Sequence, residues 1–397
     1  MNPTSNLKEV EQADVYKGDD LAGELIRTQG AIEFRYHSHY VQSERPPIAS
    51  SLPLSQLPVR VVGTELPSYF ANLLPEGVRL LGLKDRNHTS LDDHFTLLLA
   101  VGGDTIGDTR IVPKGQDPNL VEDRSEPDFD TENLFARARA GEDPAALSGV
   151  QEKVSSRMLS LPRLTREGPA IFKLGPPELP FLVENEAFFM TMAGACGVPV
   201  VKVRIESDAQ GGKGLLVRRF DRRRKEGRWI GIAQEDGCQL TNSYPGAKYR
   251  IPWRDIATIY RDHSAAPLVA LQRLLAQIAF SWIVGNGDLH AKNVSLQRTE
   301  IGWMPTPAYD IISTLPFRHL EQRAALKLDG RDNHLKRVHL LTFFGRFGVP
   351  EKAVNRTLDR LMDASLPWIE RLEEIGYDEK TTERMRREIG SRREGMG

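Results

Sequence analysis

Gly285-Asn286-Gly287-Asp288-Leu289-His290-Ala291-Lys292-Asn293 is a polar run set directly behind the apolar stretch Leu268–Val284. Gln272, Arg273 and Gln277 interrupt that stretch, so it predicts a buried amphipathic helix rather than a membrane span. The run itself is a loop, with Gly285 and Gly287 permitting a tight backbone path. Asp288 and Asn293 have D-x-x-x-x-N spacing, with which a phosphoryl-transfer loop offers a carboxylate to a substrate hydroxyl and an amide to magnesium. Lys292 brings a cation to the same place, suited to charge on a transferring phosphoryl group. An aspartate capping a polar turn satisfies the same letters.

Outward from the loop the chain divides by pattern. Residues 1–115 predict a small α+β unit: Asp14–Lys17, Leu21–Ile26 and Ala31–Tyr36 read as strands, and Tyr69–Leu74 and Leu91–Val101 as helices. Residues 116–132, with Pro118, Pro127 and many acids, predict a linker. Residues 133–239 predict a nucleotide-binding lobe with strands Ala170–Leu174, Val200–Ile205 and Leu215–Phe220 and the helix Asn185–Cys196. Residues 240–397 turn helical, with Ile256–Arg261, Leu335–Phe347, Ala353–Ile375 and Thr381–Arg393 as further helices and a short hairpin near Val294–Gln297 and Trp303. The expected class is α+β, a two-lobed kinase-like fold with an N-terminal α+β subdomain and an all-helical C-terminal lobe. Layout alone assigns no function.

Composition narrows the classes. A chain of 397 residues needs more than one core, and 40% hydrophobic with 27% charged residues is ordinary for a soluble globular protein. Lys and Arg number 53 against 54 Asp and Glu, without the basic excess of a free-standing nucleic-acid binder. The densest basic run, Arg218, Arg219 and Arg222–Lys225, reads as a solvated turn. Cys196 and Cys238 are too few for a disulfide framework or a zinc site and are expected to be reduced. Met1–Gln12 lacks the apolar core of a signal peptide, so the cytoplasm is the expected compartment, with no membrane partner.

Three other segments supply what phosphoryl transfer needs. Asp310, in Tyr309-Asp310-Ile311-Ile312, is a candidate magnesium ligand, although it lacks the Phe-Gly that follows such an aspartate in eukaryotic kinases. Lys173 ends the apolar strand Ala170-Ile171-Phe172 and Glu186 lies on the next helix, the residue types that aim a cation at the α- and β-phosphates. A surface lysine and a helix-start glutamate fit those letters equally. Gly149, in Ser148-Gly149-Val150-Gln151-Glu152-Lys153, lets backbone N–H groups approach phosphate, but the segment matches neither standard phosphate-loop pattern. A hydrolytic metal site built on Asp288 and His290 with His263 or His334 has no H-E-x-x-H spacing behind it, and no G-x-S-x-G elbow occurs.

Over nearly the whole chain these segments resemble the HipA family of bacterial toxin kinases. The matching words are Leu73–Gly77, Ala100–Asp104, Ser148–Lys153, Phe172–Leu174, Glu184–Glu186, Arg219–Arg222, Gln234–Asp236, Gly287–Asn293 and Tyr309–Ile311. The resemblance implies ATP and Mg²⁺ as cofactors, Asp288 as catalytic base with Lys292 beside it, and Asn293 and Asp310 on the metal. It implies that Ser148–Lys153 covers the phosphates and that Gln234, Glu235, Asp236 and Gly237 form a hinge strand at adenine. Lys173, Glu186, His290 and Tyr309 complete the implied nucleotide site, and Arg219–Arg222 is a structural or substrate-side element. A toxin–antitoxin role follows, with an aminoacyl-tRNA synthetase as substrate, a separately encoded helix-turn-helix antitoxin as partner, and operator DNA met through it. Family members autophosphorylate a serine where this chain has Ala146, which leaves Ser148 as the expected site. A scaffold that joins a repressor without transferring phosphate, or a small-molecule kinase, remains open. The intact set Asp288, Lys292, Asn293 and Asp310 favours turnover over the scaffold.

Overall fold

The computed structural model describes residues 6–119, 158–317 and 322–397. Most of the expected linker, and the whole of Ser148–Lys153, lie outside the described residues.

The N-terminal unit is one antiparallel sheet of order β4-β3-β2-β1-β5, with β1 at Gln12–Lys17, β2 at Asp20–Thr28, β3 at Ala31–Tyr36, β4 at Val59–Val62 and β5 at Thr109–Pro113. Strand alternation sets its inner face: Ile32, Phe34 and Tyr36 are buried, while Glu33 and Arg35 between them are not. Helices α1 (Gly77–Arg86) and α2 (His94–Val101) follow, and the Asp93 side chain caps α2 by accepting from the Thr96 N–H at 3.3 Å. Tyr40, Phe70, Phe95 and Leu98 close the core over the sheet.

A second antiparallel sheet, order β6-β7-β9-β8, comprises β6 (Leu159–Thr165), β7 (Gly168–Leu174), β8 (Val203–Ser207) and β9 (Lys213–Arg218). Helix α3 (Leu182–Ala195) packs between this sheet and the helical lobe, and is apolar nearly all round because both sides are covered. The basic run expected as a turn is instead a hairpin, β10 (Arg222–Lys225) with β11 (Arg228–Gly231). Its turn letters lie at Glu226 and Gly227, both at positive φ, which places the reversal after the basic residues.

The C-terminal lobe is helical apart from a three-stranded sheet, β12 (Gln234–Asp236), β13 (Ser295–Thr299) and β14 (Gly302–Pro305). The expected hairpin near Val294–Gln297 and Trp303 is its β13–β14 pair, so the lobe is not wholly helical. Helix α4 (Trp253–His263) buries Trp253, Ile256, Ala257 and Tyr260 on one face. Helix α5 (Pro267–Ile283) is the central helix, followed by α6 (Arg337–Arg346), α7 (Glu351–Ile369) and α8 (Glu379–Glu394). One continuous apolar cluster runs from Leu215 of β9 through α3 and α5 to Ile389 of α8, so the two lobes share a core. Among the described residues no helix is long and apolar enough to cross a membrane.

The N-terminal unit meets these lobes through buried charge. Arg219 donates to Asp104 at 2.7 Å, to Asp221 at 2.8 and 3.0 Å, and to the Thr105 carbonyl at 2.8 Å. Arg222 reaches Asp104 and the Gly107 carbonyl, both at 2.7 Å. Burial alone would raise the Asp104 and Asp221 carboxyls; the two arginines outweigh it and hold both below the usual range. Removing one member strands the others in low dielectric. Arg219→Met is therefore expected to lower stability by about 3–5 kcal/mol in equilibrium urea unfolding, and a loss under about 1 kcal/mol would show that the network contributes little.

Candidate active site

Helix α5 ends at Ile283, and Gly285 follows in the left-handed region at φ 71°. A Cβ there would meet the Leu315 side chain at 2.5 Å, so glycine both stops the helix and admits its neighbour. The loop that follows is held from within. Asn286 Oδ1 accepts from the Asp288 N–H at 2.9 Å, and Asn293 Nδ2 donates to the Asp288 carbonyl at 3.0 Å. Thr314 Oγ1 accepts from the Gly287 N–H at 3.3 Å, tying the loop to the segment after Asp310.

Asp288 is 1% exposed, and Tyr249 donates to its Oδ1 at 2.8 Å. Burial and the Asp288 charge push the Tyr249 hydroxyl far above its ordinary range, so it remains a donor. Lys173 reaches Glu186 on α3 at 2.7 Å and also pairs with Asp310. Burial opposes a charged ammonium, but Asp310 and Glu186 prevail and raise it. Burial pushes the Glu186 carboxyl up, against the Lys173 charge that it shares with Asp310. Asp310 stands at φ 55°, a left-handed conformation that a short polar side chain tolerates. Asn185, one residue before Glu186, accepts from the Ser313 N–H at 2.9 Å and donates to the Ser313 carbonyl at 3.2 Å, so α3 fixes the Asp310 segment twice.

These groups converge on a cavity of about 320 Å³, the lower end of ligand-sized pockets. Lys173, Gln234, Asp236, His290, Lys292, Asn293, Tyr309 and Asp310 line it, together with Leu73–Glu76 of the N-terminal unit and Met158, Ile171 and Val217 of the sheet. Asp288 and Glu186 sit behind the wall. Gln234–Gly237 departs from its expected role as a unit. Only Gln234 and Asp236 face the cavity: β12 pairs with β13, the Glu235 carboxylate accepts from Ser50 at 2.7 and 2.9 Å, and Gly237 lies against the Ala291 carbonyl. The connection leaving β9, Arg218–Asp221, lines the cavity instead. The Tyr309 hydroxyl is engaged with Ser295 Oγ at 2.6 Å and the Lys292 carbonyl at 2.8 Å, which leaves its ring for the wall.

Among the described residues, His290 Nδ1 and Gln234 Oε1 are buried polar atoms with no hydrogen-bond partner, both on residues facing this cavity. Unsatisfied polar atoms in an apolar-walled pocket suit a polar ligand such as a nucleotide. Asn293 and Asp310 supply the hard oxygen donors that magnesium prefers. His263 and His334 are exposed, unlike Asp288 and His290, and among the described residues no group of three or more His, Cys, Asp or Glu is arranged to hold a metal. Sequence reasoning missed Tyr249, Asn72 and Lys248, which touch the Gly285–Asn293 loop from distant parts of the chain, and Glu76, which pairs with Lys248.

The HipA N-terminal domain family matches residues 13–112 and the HipA-like C-terminal domain family matches residues 145–369. The chain belongs to the HipA family. Y4mE of Sinorhizobium fredii, named as a kinase, is 30% identical over 88% of each chain. The serine/threonine-protein kinase toxin HipA of Shewanella oneidensis is 29% identical over 88% of this chain and 86% of its own. A solved structure of HipA with HipB and operator DNA from the latter organism superposes with a TM-score of 0.79 at 23% identity, covering 97% of both chains. The two-lobed, kinase-like fold is thereby established.

Burial, helped by the Lys248 charge, drives the His290 pKa down to about 3 from 6.5. The folded state then binds fewer protons than the unfolded state between these values, so stability falls as pH drops from about 6.5 toward 3. His290→Asn is expected to flatten that part of the curve of urea midpoint against pH. An unchanged slope would place the acid lability elsewhere.

Proposed function

We propose that this protein is an ATP- and Mg²⁺-dependent serine/threonine kinase acting as the toxin of a toxin–antitoxin pair. The reading rests on one observation above others: a single buried ammonium, Lys173, bridges Glu186 of α3 and Asp310 of the loop, inside the cavity that holds Asn293. Magnesium bound with ATP screens the phosphate charges during transfer. Asn293 uses its Nδ2 on the Asp288 carbonyl, leaving the amide oxygen for the metal beside Asp310. Lys173 aims its charge at the non-transferred phosphates. Asp288, oriented by Tyr249, takes the proton of the acceptor hydroxyl as that oxygen bonds the γ-phosphorus and the bond to the departing ADP breaks.

The acceptor is proposed to be a protein of the translation machinery, an aminoacyl-tRNA synthetase, with growth inhibition as the result. The relative named as a serine/threonine-protein kinase toxin supports the kinase and toxin parts of this reading, and the solved complex of HipA with HipB and operator DNA supports a HipB-like antitoxin as partner. Action in the cytoplasm and self-phosphorylation at Ser148 belong to the same proposal.

Labelled Mg·ATP, wild-type protein and a panel of aminoacyl-tRNA synthetases test it. Asp288→Asn is expected to lower transfer by roughly 10²–10⁴-fold with nucleotide affinity retained, because the base is lost and the metal ligands are not. Asp310→Ala is expected to weaken Mg·ATP binding as well as turnover. Tight ATP binding by wild type without transfer to any acceptor would reject the kinase reading, and equal loss of binding in Asp288→Asn would reject its role as base.

A further inference from the structure

We infer that Asn72 and Glu76, in the N-terminal unit, are positioning residues for phosphoryl transfer, fixing the catalytic loop through Lys292 and through the Lys248-Tyr249 pair. This rests on the kinase reading above and gives the N-terminal unit a part in the chemistry. A lysine ammonium has three N–H donors. Those of Lys292 face three acceptors: the Asn72 carbonyl at 2.9 Å, Asn72 Oδ1 at 3.1 Å and Asp236 Oδ2 at 3.1 Å. Asn72 is itself gripped from both sides of the seam, its Nδ2 donating to the Ser68 and Ser243 carbonyls at 2.8 Å each. A residue 220 positions earlier in the chain thus decides where the loop's cation stands.

The second arm reaches the catalytic carboxylate. Glu76 pairs with Lys248, whose carbonyl accepts from the Ala291 N–H at 3.1 Å. The next residue, Tyr249, donates to Asp288 at 2.8 Å, and its ring meets the His290 ring edge-on at a centroid distance of 5.0 Å. Glu76 therefore holds the segment that holds Asp288. Charge alternation supports the arrangement: Lys248 and Lys292 are like charges lining one small region, and Glu76 and Asp236 each pair with one of them. Glu76 Oε1 is buried on the cavity wall without a hydrogen-bond partner among the described residues, so Lys248 supplies the side chain's hydrogen bond while the Lys292 charge also acts on it.

Misplacing a reacting group by about 1 Å costs about 10²-fold in rate. Asn72→Ala and Glu76→Gln in the full chain are accordingly expected to lower kcat by about that factor while KM for ATP stays nearly constant. The effects are also expected to be non-additive: Asn72→Ala adds little once Lys292→Ala is present, and Glu76→Gln adds little once Tyr249→Phe is present. Acetylation of Lys292 and Lys248 by a small anhydride, read by mass spectrometry, needs no catalysis. Lys292 is expected to label faster in Asn72→Ala and Lys248 faster in Glu76→Gln. Glu76→Gln is isosteric and keeps the test open if Asn72→Ala does not fold. Unchanged labelling, additive losses, or a raised KM at constant kcat would each overturn the inference. A wild-type protein that transfers no phosphate, yet shows the expected labelling changes, would reject the kinase reading and leave the two contacts standing as positioning devices.

Discussion

The ammonium of Lys173 is the point on which the arrangement turns. It sits at the end of a buried strand, and a charge there is tolerable only with carboxylates in direct contact. Glu186 comes from α3 and Asp310 from the segment that follows the Gly285–Asn293 loop and the β13–β14 hairpin, so satisfying one cation fixes a sheet, a helix and a loop relative to one another. Asn185 reinforces the same geometry through the Ser313 backbone. Since α3 shares a core with both lobes, this polar junction is set in rigid surroundings.

The seam with the N-terminal unit follows a different rule. Its polar contacts include Arg219 and Arg222 with Asp104, Glu235 with Ser50, Lys292 with Asn72, and Lys248 with Glu76. An apolar seam of similar area could slide by a fraction of a residue at little cost. Paired buried charges cannot, because each displaced group loses its partner in low dielectric. The charged pairs of the seam therefore define position, which is what a neighbouring reaction site requires.

How far the sequence could be read depended on how local each feature is. Asp288 and Asn293 lie in one short loop, so their spacing could be read directly from the letters. The strand Ala170–Leu174 and the helix near Glu186 were legible from periodicity, but the Lys173–Glu186 contact was not, since letters record residue types and not approach. Tyr249, Asn72 and Glu76 were invisible for the same reason, being 39, 220 and 172 residues from their partners Asp288, Lys292 and Lys248. Glu235 was misplaced because strand β12 has two faces: its neighbours Gln234 and Asp236 face the cavity while Glu235 turns to Ser50. The four-residue strand β4 was too short to show alternation, and β10–β11 was hidden by its run of charge.

The charge of the site also bears on what can enter it. Lys173 is already balanced by two carboxylates, Lys292 by Asp236 and Lys248 by Glu76. Each lysine is thus neutralised or outnumbered before any ligand arrives, and a bare polyphosphate would meet little net attraction there. Asp310 is the carboxylate that would hold a divalent cation, and its loosening from Lys173 would leave that ammonium available to phosphate oxygens. The pairing that holds these side chains together is thus the same pairing that a ligand would have to rearrange, so the overall charge of −1 says less about what this site can accept than its internal balance does.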